Sequence, residues 1–121
     1  MTIIDFNPAR ITGIQKTGST LSVVFFRQMA YDDNQEIMTP VECQLCIEDG
    51  EWLGVNSILD LDNLEVRSAQ EMRRCFLPLD WHSDQFSELW AVDESGQQTL
   101  LARGSSMRLE VLKRYASASR S

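Results

Sequence analysis

The chain of 121 residues lacks any long apolar segment; its apolar runs, such as Val23-Val24-Phe25-Phe26, reach only four residues. A membrane-spanning helix needs roughly 20 apolar residues, so we expect no membrane partner. The N-terminal residues also lack the basic segment and apolar segment of a secretory signal peptide. The sequence therefore predicts a cytoplasmic protein.

Cysteine, glycine and histidine are scarce, with three, six and one residues. An odd number of cysteines favours free thiols over a disulfide framework. The glycines form neither G-x-x-x-x-G-K-[ST] nor G-x-G-x-x-G, which argues against a nucleotide-binding enzyme. Cys43 and Cys46 have the spacing of a zinc knuckle, but an alternating strand would point them to opposite faces. We therefore expect no cofactor and no metal.

Two further motifs resemble functional sites but lack a feature that such sites require. The acids from Asp60 to Glu65 alternate as in a calcium loop, but the sixth position is Glu65 instead of the required glycine. His82, Ser83 and Asp84 supply the three residue types of a catalytic triad, yet triad members normally converge from separate segments. His82 could still act as a general base oriented by Asp80 or Asp84.

Basic residues are absent from residues 31–65, and this absence is the most informative feature of the charge pattern. The segment carries ten acids, while the whole chain has a net charge of −7. An acidic block repels phosphates and attracts basic proteins, so we expect a basic protein partner and no nucleic acid. Alternatively, the acids are scattered on solvated faces, or arginines of the C-terminal half pair with them internally.

Within this acidic segment, acids near predicted turns and one tryptophan are the candidates for partner contacts, since exposed aromatic residues anchor interfaces. The predicted partner-binding residues are Asp32, Asp33, Glu36, Glu48, Asp49, Glu51 and Trp52. No catalytic residue is predicted.

Alternating apolar residues between turn residues predict short antiparallel strands. Gly13 interrupts this alternation, which predicts a bulge. The predicted hairpins pair Arg10–Lys16 with Thr20–Arg27, Val41–Glu48 with Glu51–Val55, and Glu88–Asp93 with Gln97–Arg103.

One helix is expected after Ser68-Ala-Gln-Glu71, which has the form of a capping box, and Pro78 would end it by Leu77. Residues 56–66 and 107–115 fit either a strand or a helix. We predict a mainly β fold, an antiparallel sandwich or open barrel of six to eight short strands with one or two short helices. A two-layer α+β fold is the alternative. A single domain is expected over residues 1–115, with a frayed tail at 116–121.

No motif ties the chain to a family, although small acidic domains recur among immunity proteins and bacterial secretion chaperones. The leading hypothesis is a non-enzymatic acidic protein-binding domain, most concretely an immunity-type inhibitor that docks on a basic toxin. The alternative is a secretion chaperone or homodimeric scaffold. A second alternative is a small-ligand or hydrolytic domain centred on His82.

Overall fold

A computed structural model describes residues 2–32, 37–54 and 59–115 of the chain, and strands form all of its regular structure there. Within these ranges no helix is long and apolar enough to cross a membrane. The strands are β1 (Thr2–Asp5), β2 (Ala9–Thr17), β3 (Thr20–Asp32), β4 (Ile37–Glu48), β5 (Glu51–Trp52), β6 (Leu59–Leu61), β7 (Asn63–Ser68), β8 (Met72–Arg74), β9 (Phe76–Pro78), β10 (His82–Ser83), β11 (Ser87–Val92), β12 (Gln98–Gly104) and β13 (Ser106–Arg114).

The strands form two open antiparallel sheets, which confirms the predicted mainly β fold. The first sheet has the order β10-β13-β4-β3-β1-β9, and β2 joins it between β3 and β6. The second sheet has the order β5-β12-β11-β7-β8. Apolar residues of both sheets build one core, because alternate side chains of each strand point to the same face.

The long strand β3 organises the first sheet. One edge pairs with β4, while the other pairs first with β2 and then with β1. The register with β4 shifts between Phe25 and Gln28, and Arg27 there adopts a positive φ of 52°. These are the features of a β-bulge, which re-aims the side chains of Phe26 and Arg27. The bulge predicted at Gly13 is also present, between β2 and β3.

The helix predicted after Ser68 is wrong. The Glu71 N–H donates to the Ser68 hydroxyl at 3.3 Å, as in a helix cap, but the Ser68 N–H donates back to the Glu71 carbonyl at 2.9 Å. The second bond closes a tight turn between β7 and β8. A positive φ of 69° at Cys75 then directs the chain into the first sheet as β9.

The hairpin predicted between Val41–Glu48 and Glu51–Val55 is also wrong, although the Asp49-Gly50 turn exists. The chain leaves the first sheet there, and β5 pairs with β12 of the second sheet. β4 instead lies between β3 and β13, so residues 107–114 form a strand. The other two predicted hairpins are confirmed as β2–β3 and β11–β12.

Candidate functional site

The predicted partner-binding residues fall into separate groups. Glu48 lies opposite Thr20, the first residue of β3, whereas Asp32 is the last residue of that strand. Twelve residues of extended chain separate the two positions by on the order of 40 Å. Asp33 and Glu36 lie outside the described residues. The structure therefore does not bring Asp32 together with the acids that follow β4.

Glu48, Asp49 and Glu51 do lie together, but neighbouring side chains already contact each of them. Their partners are Arg108 for Glu48 at 3.9 Å, Ser105 for Asp49 at 2.8 Å, and Arg103 for Glu51 at 3.2 Å. Two of the three negative charges thus have an arginine beside them. This corner presents a weaker negative field than the sequence alone indicates.

Trp52 does not project as an exposed anchor. It is half-buried against the core, and its ring covers Gly54, where an added Cβ would meet Trp52 Cζ2 at 2.6 Å. Trp81 is buried, and its indole N–H donates to Glu71 at 2.9 Å. The large side chains of both residues therefore mainly stabilise the fold.

The alternative of internal pairing with arginines of the C-terminal half holds for three of the eight described acids of residues 31–65, Glu48, Glu51 and Glu65. A fourth acid, Asp60, pairs instead with an arginine of the N-terminal segment. These pairs are Arg10–Asp60, Arg67–Glu65 and Arg74–Glu65, Arg103–Glu51, and Arg108–Glu48.

The strongest of these clusters surrounds Glu65, whose side chain is 1% exposed. Arg67 Nε donates to one carboxylate oxygen at 2.9 Å, while Arg74 Nε and Nη2 donate to the other at 3.1 and 2.9 Å. The Arg67 guanidinium also stacks on Trp90, 4.2 Å from the ring centroid. Burial would raise the pKa of Glu65, but the hydrogen bonds and charges of both arginines outweigh it and lower the pKa. Glu65 is therefore an internal counterion, unsuited to act as a general acid.

A different group of acids surrounds an apolar cavity of about 220 Å³ between the two sheets. We call Asp60, Asp62, Asp93 and Glu94 the acidic rim. The first three line the cavity, and Asp62 accepts the backbone N–H of Glu94 at 3.2 Å. The apolar lining consists of Leu59, Leu61, Ala91, Val92 and Leu101.

The short strand β5 places the cavity at the edge of the second sheet. β5 pairs with only Ala102 and Arg103 of β12, and the Leu53 N–H then donates to the Leu101 carbonyl at 2.7 Å. Thr99 and Leu101 of β12 line the cavity beside this end of β5. β6, at the edge of the first sheet, faces this opening.

The acidic rim carries fewer neutralising contacts than the corner after β4. Its one ion pair within the described residues joins Asp60 to Arg10 at 3.5 Å, with both side chains largely exposed. The hydroxyl of Ser95 and the N–H of Gln97 donate to Asp93, and these hydrogen bonds lower its pKa. These bonds favour the ionised form of Asp93.

Sequence reasoning missed Asp93 and Glu94 because they lie some thirty residues after Asp62. Antiparallel pairing of β7 with β11 places Val92 opposite Asn63, and so brings the two segments together. A sequence signal was present in the acids at both strand ends, but the register was needed to combine them.

The only histidine lies in a separate polar cleft of about 450 Å³. His82 shares this cleft with Glu71 and Asp84. The one polar contact of its ring within the described ranges is a 3.4 Å approach of Nδ1 to the Asp80 carbonyl. Glu71 accepts hydrogen bonds from Trp81 and Arg73 instead. The cleft thus contains the residue types expected of a small-ligand or hydrolytic site centred on His82. Within the described ranges, however, His82 makes no hydrogen bond to a nucleophile or to a carboxylate.

The three cysteines are free and buried. Burial raises the pKa of Cys43 to about 12, with a smaller contribution from Glu42. Cys75 Sγ lies 3.1 Å from the Asn63 amide oxygen, and burial raises its pKa as well. In the described part of the chain, no three histidine, cysteine or acidic residues are arranged to hold a metal ion.

Comparison with known proteins leaves the function to be argued from the geometry. No protein-family model matches the chain, and neither a curated protein nor a solved structure does.

Proposed function

We propose that this domain is a non-enzymatic module that binds a basic protein, and that one lysine or arginine side chain of the partner enters the cavity beneath the acidic rim. The observation that supports this proposal is the combination of an apolar cavity with three aspartates of the acidic rim, Asp60, Asp62 and Asp93, in its lining. We retain a basic protein as the expected partner, but we place its contact surface at the acidic rim instead of at Glu48, Asp49 and Glu51.

The chemistry of the cavity suits a long basic side chain. Lysine and arginine bury their aliphatic stems against apolar surface and keep the charged group in a polar environment. Here Leu61 and Leu101 would contact the stem, while Asp62 and Asp93 would lie near the cation. The volume is below the roughly 300–1,000 Å³ of pockets for drug-sized ligands, which favours one inserted side chain.

The acidic rim would also increase the rate of encounter with a basic partner. Opposite fields steer association and make its rate depend on salt concentration. An immunity-type inhibitor of a toxin is the most concrete form of this function, acting by steric occlusion. That identity stays a prediction.

The test uses a capped tripeptide with one central lysine, titrated into the ¹⁵N-labelled protein and followed by NMR. We expect chemical-shift changes at Leu61, Ala91 and Leu101 that saturate with peptide. A matched peptide with norleucine at the centre should bind more weakly, because it has the stem without the charge.

Two variants distinguish the contribution of charge to peptide binding from the contribution of cavity shape. Asp62→Asn should weaken binding of the lysine peptide and reduce its salt dependence, whereas Ala91→Leu should fill the cavity and weaken both peptides. Glu110→Gln, which removes an exposed carboxylate on β13, serves as the matched control. Equal binding of both peptides, or shifts that ignore the cavity, would overturn the proposal.

A further inference from the structure

Basic residues of the first sheet lie on both sides of Glu42 of β4, at the bulge of β3 and at the end of β13. Among the cations of the described ranges, Lys16, Arg27, Lys113 and Arg114 form no ion pair. Two of these four, Arg27 and Lys113, lie together where β3 bulges and β13 ends, whereas Arg114 lines a cavity with Ala30 and Leu79. We call Phe26, Arg27, Lys113 and Tyr115 the basic–aromatic patch.

Tyr115 holds this patch together. The Arg27 guanidinium lies 4.6 Å from the centroid of its ring, and Lys113 Nζ lies 4.8 Å from it. The N–H of Tyr115 donates to the Pro40 carbonyl at 2.9 Å, which fixes the residue after β13 beside β4. Cation–π contacts thus position the two cations, while Phe26 beside them is 41% exposed.

A groove of about 430 Å³ joins the basic–aromatic patch to the acidic rim. Phe26 and Arg27 line it on one side, and Asp60 and Asp62 on the other. Asp5 and Arg10, which also line the groove, are of opposite charge. Positive and negative surfaces therefore lie side by side, with an exposed aromatic ring at their boundary.

We propose that a second copy of this chain docks on this groove as a symmetric dimer. A two-fold axis through the groove places Arg27 of each copy against Asp62 of the other, because an isologous interface pairs each surface with its neighbour. The two Phe26 rings would then meet near the axis. Adjacent patches of opposite charge make the surface complementary to itself.

The charge pattern favours a second copy over a nucleic acid. Phosphates attracted to Arg27 and Lys113 would also approach Asp60 and Asp62 across the groove, which repel them. The second copy offers both signs of charge in the matching order.

This dimer does not depend on the proposed function, since it requires no other protein. It would, however, bring the acidic rim against the second copy, so a basic partner would compete with self-association. Sedimentation of the purified chain tests the dimer separately from the peptide titration.

The experiment measures self-association by analytical ultracentrifugation across a concentration series at low and high salt. We expect a monomer–dimer equilibrium that weakens as salt rises, because exposed charges are screened. Arg27→Asp and Asp62→Arg should each weaken it at least about tenfold, since each creates a repulsive contact twice per dimer. Aspartate is chosen at position 27 because it tolerates the positive φ.

Mixing the two single variants provides the decisive comparison. In the mixed dimer, the aspartate introduced at position 27 of one copy faces the arginine introduced at position 62 of the other. The second contact keeps its original pair, Arg27 against Asp62, so association should recover to near the wild-type level. Lys16→Asp makes the same charge change on an exposed cation of β2 and should leave the equilibrium unchanged. A wild-type chain that stays monomeric at low salt, or single variants that do not recover on mixing, would overturn the proposal.

Discussion

Replacing Glu65 by glutamine removes one charge from the buried cluster beneath Arg67 and Arg74. Three charge-assisted hydrogen bonds of 2.9–3.1 Å end on this carboxylate. Glutamine would keep one acceptor but turn an NH₂ group toward the other guanidinium. Removing one partner of a fully buried ion pair costs roughly 3–5 kcal/mol. Because Arg74 is about half exposed, we expect a loss of about 2–3 kcal/mol here.

Urea unfolding at pH 7 measures this loss as a lower midpoint at an unchanged m-value. The difference from the wild type should shrink in acid. A carboxyl group whose pKa is lowered by folding stabilises the protein above its unfolded pKa, and this contribution is lost as pH falls through the folded pKa. Glu110→Gln controls for the loss of an exposed carboxylate. A change below about 0.5 kcal/mol, the range of ordinary surface substitutions, or a difference that persists in acid would refute the reasoning.

Three further predictions concern the core and its thiols. Gln28→Ala should cost about 2–3 kcal/mol in urea unfolding, because the buried amide makes three hydrogen bonds that tie β3 to β1, to β2 and to the connection between them. Gly104→Ala should lower the melting temperature, since its Cβ would lie 2.3 Å from Ile47 Cγ2, whereas Gly13→Ala meets nothing closer than 3.9 Å and should fold normally. Cys43 should resist alkylation at pH 8 in the folded chain and react after denaturation, because burial raises the pKa of its thiol to about 12; rapid modification of the native protein would contradict this.

Much of the fold could be predicted from local pattern. Period-two alternation and turn residues correctly predicted the β2–β3 and β11–β12 hairpins, because both depend on contacts between chain neighbours. The prediction of a helix after Ser68 was wrong because the capping hydrogen bond between Glu71 and Ser68 is equally compatible with a turn. The sequence around β5 could not predict its partner strand, since the pairing of β5 with β12 joins residues about fifty positions apart.

The candidate site, like the fold, could be predicted only in part from the sequence. Residues 31–65 were correctly recognised as acidic, but proximity in sequence was a poor guide to the electrostatic surface. Glu65 and Glu51 acquired arginine partners from later strands, while Asp62 was joined by Asp93 and Glu94.

The sequence by itself determined that this chain folds mainly from strands, that its three cysteines cannot all be paired, and that its acids outnumber its bases. These properties follow from composition and from the two-residue period of a strand. Only the tertiary structure decided which acids keep an unneutralised charge and where a cavity opens. The reason is that neutralisation depends on distances of 3–4 Å between side chains far apart in the chain, and long-range antiparallel register sets those distances.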